Sequence, residues 1–142
     1  MMLVGVLDVP GVARSARAAR EFLTRLARRL ALINVTDDTL ADLVLCVDEL
    51  VANACEHTAS GRGGRVVIYV ETDGRTVRLT VRDDGGALTE PRVQPEACGE
   101  GGRGLWLVEA LSTAWGSHDT SVWAEFPCCS RVVMPQAQHV SS

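Results

Sequence analysis

A carboxylate and a carboxamide stand one helical turn apart in a segment whose apolar residues recur at helical spacing. Glu49 and Asn53 occupy positions i and i+4, which are neighbours on a helix surface. A carboxamide oxygen can ligate Mg²⁺, and a carboxylate beside it can orient or deprotonate a nucleophile near a phosphoryl group. The same pair also fits a helix face in contact with water, so the spacing alone leaves both interpretations open.

A second group of polar residues ends a segment of strict β alternation. Residues 75–83 alternate apolar and polar side chains, which predicts a half-buried antiparallel strand ending at Asp83. A carboxylate at that place can accept a hydrogen bond from an exocyclic amine such as that of adenine. Gly85 and Gly86 follow and permit a sharp turn and the close approach of a flat ligand. An ordinary acidic β-turn is the alternative.

A glycine-rich segment precedes the last predicted helix. It contains a formal G-x-G-x-x-G at Gly99, Gly101 and Gly104, but no strand leads directly into it, as the dinucleotide-binding fingerprint requires. The start of a helix still presents free N–H groups and a positive dipole to an anion. Arg103 adds charge there. A flexible loop capped by glycines is the alternative.

The elements that must position these residues follow from periodicity and turn signals. Their order lacks the β-α-β alternation of a parallel sheet, so we expect an α+β fold (an α/β sandwich). Its sheet is expected to be mixed and mostly antiparallel, with helices on one face. The predicted strands are 2–7, 65–72, 75–83, 114–118 and 121–126, and the predicted helices are 12–31, 38–57 and 104–113.

Length and composition indicate one domain over residues 1–135, followed by a polar tail over residues 136–142 that we expect to be disordered. The net charge of −4 predicts no direct nucleic-acid partner. No apolar run is long enough to span a membrane, and the N-terminus lacks the charged region of a secretory signal. A cytoplasmic location is therefore expected.

Two features of composition exclude other classes of protein. All 14 cationic side chains are arginine, which excludes the Walker P-loop and the eukaryote-type protein kinase, since both need a lysine. The five cysteines form no C-x-x-C pair, which argues against a zinc ribbon or a disulfide framework. Cys128 and Cys129 are adjacent, and either a vicinal disulfide or simple packing fits them.

Taken together, the three groups resemble the motifs of the GHKL ATPase superfamily. Glu49 to His57 resembles the N box, Asp83-x-Gly85 the G1 box, and Gly102-Arg103-Gly104-Leu105 the G2 box. Within the superfamily, the chain most resembles the small anti-sigma-factor serine kinases and the stand-alone ATP-binding regulators of actinobacteria. The resemblance covers nearly the whole chain.

The resemblance implies a Bergerat ATP-binding fold that holds ATP and Mg²⁺ between a helical layer and a lid. By matching positions, Asn53 would ligate Mg²⁺, Glu49 would be the catalytic general base, and Asp83 would bind the adenine amine. Nucleotide contacts are implied for Asn53, His57, Asp83, Gly85, Gly102, Arg103, Gly104 and Leu105.

The resemblance also implies partners. The family's kinases phosphorylate a serine of an anti-anti-sigma protein of the STAS type and hold a sigma factor until that protein displaces it. Many are homodimers, so a homodimer is expected as well. The arginine-rich first helix is a candidate contact for an acidic partner, and a helix face in contact with water is the simpler interpretation.

Two departures from the motifs leave the activity open. Position 87 is Ala where the G1 box commonly has a second glycine, and the lid segment 88–98 is short and contains Pro91 and Pro95. A protein-serine kinase is favoured because Glu49 and Asn53 are both present. The alternatives are a regulator that sequesters a partner without phosphoryl transfer, and a detached sensor-kinase catalytic domain.

Overall fold

The computed structural model describes residues 1–29, 34–57, 64–84 and 100–128. Within these ranges the chain forms five strands and three helices. In chain order they are β1 (Met2–Pro10), α1 (Ser15–Arg29), α2 (Asp37–His57), β2 (Arg65–Thr72), β3 (Thr76–Asp83), α3 (Glu100–Leu111), β4 (Ala114–His118) and β5 (Ser121–Pro127).

The strands form one sheet in the order β1-β2-β3-β5-β4. Every neighbouring pair in the described ranges is antiparallel, so the expected parallel component is not found there. The α+β class is confirmed. β1 is an edge strand, and its pairing with β2 has a bulge or irregularity between Leu3 and Gly5.

Alternation gives the three central strands one buried face. On β3, Val77, Leu79 and Val81 are buried while the residues between them are at least partly exposed. In β2 and β5, buried side chains also alternate with more exposed ones. Buried residues of both strands pair with those of β3, so they lie on the same face of the sheet. α2 packs over β3 and β5, α1 over β1, and α3 over β4, while α1 and α3 both pack against α2. The helical layer thus covers one face of the sheet.

Local signals predicted several boundaries correctly. The Thr36 hydroxyl accepts a hydrogen bond from the Thr39 N–H at 3.1 Å, which caps the start of α2. Asp73 and Gly74 form the turn between β2 and β3, where Gly74 has a φ of 90°. The Asp73 carboxylate accepts hydrogen bonds from the N–H groups of Arg75 and Thr76, and these bonds lower its pKa.

Other boundaries differ from the prediction. β1 continues to Pro10 rather than ending at residue 7, because an edge strand tolerates a residue without a donor N–H. α1 begins at Ser15, whose hydroxyl donates a hydrogen bond to the Pro10 carbonyl at 2.6 Å. α3 begins at Glu100 rather than at the predicted residue 104. Its first turns are rich in glycine and show no apolar periodicity, so the sequence pattern did not indicate a helix there.

Two further expectations concern residues outside the described ranges. The tail 136–142 and Cys129 lie outside them, so the structure does not test the expectations made for them. No helix within the described ranges combines the length and apolar character needed to cross a membrane.

We expect Leu79→Ala to lower the free energy of unfolding by about 2–5 kcal/mol. Leu79 is fully buried on β3, beneath the helical layer, so the substitution removes packed apolar volume. Thr80→Val is the control, because Thr80 points to the other face, and it should change stability by no more than about 0.5 kcal/mol. Urea denaturation measures both. Equal losses would contradict the assignment of the two faces.

Candidate nucleotide and magnesium site

α2 carries the carboxylate and the carboxamide on the flank that faces α3. Asp48, on the other flank, forms an ion pair with Arg20 of α1. Because successive residues are rotated by about 100° around a helix, Glu49 and Asn53 lie on the side of α2 away from α1, where α3 packs. Asn53 is only 4% exposed and Glu49 is half-buried.

This burial excludes a face in contact with water as the explanation of the Asn53 position. Cys46 belongs to the same flank and is also fully buried, because α3 covers it. The side of α2 that meets water is a different one, and its exposed residues are Asp37, Asp38, Ala41, Leu45, Ala52 and Glu56.

The Asn53 side chain is a buried polar group for which the described residues supply no hydrogen-bond partner. Among the residues that the structure describes, no group hydrogen bonds to its carboxamide. Buried side-chain amides almost always have such a partner, and each exception calls for an explanation. A carboxamide oxygen held in this way fits the ligand of a hard cation, so the residue fits the Mg²⁺ site that the motif implies.

The described residues contain no cluster of three or more His, Cys, Asp and Glu side chains that could hold a metal ion. Asn53 would hold a magnesium ion together with phosphate oxygens of a nucleotide and water, the kind of ligands that Mg²⁺ usually takes.

Chain connectivity brings the predicted site residues to one end of the sheet. Val66, at the start of β2, pairs with Asp83 at the end of β3. α2 precedes β2 by a short segment, so its last turns lie toward that end. α3 ends just before Ala114, which pairs with Glu125 toward the opposite end. The first turn of α3 therefore points back to the end that holds Asp83.

Three hydrogen bonds donated by backbone N–H groups stabilise this end of the sheet. The Asp83 N–H donates to the Thr120 carbonyl at 3.0 Å, and the Arg65 N–H donates to the Asp84 carboxylate at 3.2 Å. The Gly11 N–H donates to the Gly64 carbonyl at 2.9 Å. Asp84 thus stabilises the strand end, while Asp83 is half-buried at the position predicted for adenine recognition.

α3 presents the glycines of the third motif in its first turns. Gly102, Arg103 and Gly104 belong to the helix by their backbone, and nothing is described of their side chains or of that of His57. Leu105 is 1% exposed and belongs to the core, so its side chain anchors the helix. Contact with a nucleotide stays a prediction for these residues. Gly85, Ala87 and the lid 88–98 lie outside the described residues.

Cys46 is not a nucleophile of this site. Burial, with smaller contributions from the charges of Asp42 and Glu49, raises the pKa of its thiol from the ordinary 9.0 to about 12. Only the thiolate is reactive, so the thiol is inert at neutral pH.

The described residues form an α+β domain with a five-stranded antiparallel sheet and three helices. The family model of the histidine kinase-like ATPase domain matches residues 9–122, a span that includes Glu49, Asn53, Asp83 and α3. The chain therefore belongs to the family of histidine kinase-like ATPase domains and is an ATP-binding, kinase-like protein. No curated protein matches the chain.

We expect Asn53→Leu to leave the protein at least as stable as the parent, and to raise the free energy of unfolding by about 1 kcal/mol. The substitution exchanges a buried, unpartnered amide for an apolar side chain of similar size. Thermal and urea unfolding without nucleotide measure the change. A loss of 2 kcal/mol or more, roughly the cost of breaking a satisfied buried hydrogen bond, would show that the amide has a structural partner.

The raised pKa of Cys46 makes stability depend on alkaline pH. The folded-state pKa of about 12 lies above the ordinary value of 9.0, so the neutral thiol contributes stability that is complete below pH 9 and is lost as the pH rises toward 12. We expect the free energy of unfolding to fall more steeply for the parent than for Cys46→Ala, by up to about 1.4 kcal/mol per pH unit. Parallel slopes in urea titrations above about pH 9 would contradict this.

Proposed function

We propose that the chain binds Mg-ATP between α2, the end of β3 and the start of α3. The observation that carries this proposal is the buried and unpartnered carboxamide of Asn53, one turn from Glu49 on the flank that faces α3. Membership in the histidine kinase-like ATPase family supports it. The magnesium ion, when bound, would neutralise phosphate charge and orient the transferred group.

Each described residue would have one task in this arrangement. Asn53 would hold the cation through its amide oxygen, and Glu49 would accept the proton of the attacking hydroxyl. Asp83 would accept a hydrogen bond from the adenine amine. The first N–H groups of α3 would bind phosphate oxygens, because a helix start carries free donors and a positive dipole.

We further propose that the protein is an anti-sigma factor with protein-serine kinase activity. It would hold a sigma factor and phosphorylate a serine of a STAS-type anti-anti-sigma protein, and it would act as a homodimer. The support is the resemblance of the three motifs to those of the small anti-sigma kinases, together with the presence of both Glu49 and Asn53.

A second candidate is a nucleotide-binding regulator that sequesters its partner without phosphoryl transfer. Ala87 favours it, because a residue with a Cβ resists the positive φ that glycine supplies at the second G1 position. The third candidate, a detached sensor-kinase catalytic domain, would phosphorylate a histidine rather than a serine. The chemical stability of the phosphorylated product separates these two kinases, since phosphohistidine is acid-labile and phosphoserine is not.

Calorimetric titration of the protein with ATP, with and without Mg²⁺, tests the nucleotide site. Binding that requires Mg²⁺ supports the site, and transfer of labelled γ-phosphate to a STAS serine then tests the kinase. Binding without transfer favours the sequestering regulator. No binding at millimolar ATP, in a protein that unfolds cooperatively, overturns the proposal.

We expect Asn53→Ala to abolish Mg-ATP binding, and Glu49→Ala to retain binding while phosphoryl transfer falls by about 10²–10⁴-fold. The reason is that the first residue would hold the cation and the second would act only on the attacking hydroxyl. Glu56→Ala is the matched control, an exposed glutamate on the same helix, and should change neither. Full binding by Asn53→Ala would refute the metal assignment, and normal transfer by Glu49→Ala would refute the base.

A further inference from the structure

A basic groove lies between α1 and α2, on the flank of α2 opposite to Asn53. It has a volume of about 450 Å³ and a wide opening to solvent. Because Arg20 of α1 pairs with Asp48 of α2, that ion pair lies at the edge of the groove. The lining residues are Arg20, Glu21, Thr24, Arg25, Arg28 and Val44.

The arginines of this groove outnumber the acids that could neutralise them. α1 has the sequence SARAAREFLTRLARR, with five arginines and a single glutamate, in a chain whose net charge is −4. Glu21 pairs with Arg17 at 3.3 Å. Within the described ranges, Arg25 and Arg28 form no ion pair, and both are exposed. The groove therefore holds unneutralised guanidinium groups in an otherwise acidic protein.

An apolar strip on α2 borders the arginines. Val44 lies half-buried in the groove, and Leu45 beside it is 45% exposed, one of the few large apolar side chains of the described chain with such exposure. Ala41 and Ala52 continue the strip along the exposed side of the helix. Water does not favour such an exposed leucine. The groove thus combines guanidinium groups with the apolar surface of Val44, and Leu45 follows on the exposed side of the same helix.

We propose that this groove binds an acidic amphipathic segment of a partner protein. Carboxylates of the segment would pair with Arg25 and Arg28, whose planar guanidinium groups suit bidentate contacts with carboxylates. Apolar side chains on the adjoining face of the segment would cover Val44 and Leu45, as in the binding of a helix in a groove. The proposal does not depend on the nucleotide site, since the two lie on opposite flanks of α2.

Fluorescence anisotropy with a synthetic peptide tests the proposal. The probe is a labelled amphipathic peptide of about 20 residues, long enough to form a helix, with glutamate on one face and leucine on the other. Its twin carries glutamine in place of every glutamate. We expect the glutamate peptide to bind at low salt, to weaken as salt rises, and to bind at least about tenfold more tightly than its twin.

Single charge reversals locate the binding surface. Arg25→Glu and Arg28→Glu should each weaken binding of the glutamate peptide about tenfold or more. Arg75→Glu makes the same charge change at an exposed arginine of the β2–β3 turn and should leave binding nearly unchanged. Leu45→Ser should weaken binding without changing its salt dependence.

Four results would overturn the proposal. They are no binding of the glutamate peptide, equal binding of its glutamine twin, equal losses for Arg28→Glu and Arg75→Glu, and equally tight binding of single-stranded DNA of the same charge. The last would identify a general polyanion surface. ATP titration of Arg28→Glu and peptide titration of Asn53→Ala separate the two sites, because each variant should retain the other activity.

Discussion

The burial of α2 on three sides is the constraint on which the rest of the structure depends. The sheet lies beneath it, α1 packs on one flank and α3 on the other. Leu43, Val47, Leu50, Val51 and Ala54 supply the apolar stripe against the sheet, so the rotation of the helix about its axis is determined by the core. That rotation places Asp48 toward Arg20 and turns Asn53 toward α3. The position of the site residues is therefore a consequence of core packing.

Burying Asn53 in this way opposes folding. A buried amide without a hydrogen-bond partner costs about 1–3 kcal/mol, which is a noticeable part of the stability of a small domain. The core compensates, because the strands and α2 bury a nearly continuous apolar layer. Cys46 is part of that layer, and its burial raises the pKa of its thiol. Ligand binding would relieve the cost at Asn53, as is common for sites built into a rigid scaffold.

Local sequence patterns predicted the strands correctly but failed for features that depend on contacts between residues far apart in the sequence. Alternation located β2 and β3 because one face of each is buried, and Asp73-Gly74 predicted the turn between them. The same kind of pattern could not show that Asn53 is buried, since this depends on α3, far along the chain. The predicted start of α3 was wrong for a related reason, because that part of the sequence is rich in glycine. Glycine carries little information about periodicity, and the helix there is held by Leu105 and Val108 further on. The resemblance assigned roles to the site residues by motif, and those roles stay predictions, whereas the burial of Asn53 is visible only in the folded chain.

The face of the sheet away from α1, α2 and α3 carries side chains that are compatible with water. Arg78 pairs with Glu125 across β3 and β5 at 2.6 Å and also stacks over the Trp123 ring at 4.7 Å, while Arg82 lies over Tyr69. Trp123 in turn lies flat across Gly116 of β4, where a Cβ would come within 2.8 Å of the ring. Cross-strand pairs of this kind cover aromatic surface with charged groups that remain hydrated. A sheet face covered in this way needs no helices packed against it, which leaves the helices of the described chain on the opposite face.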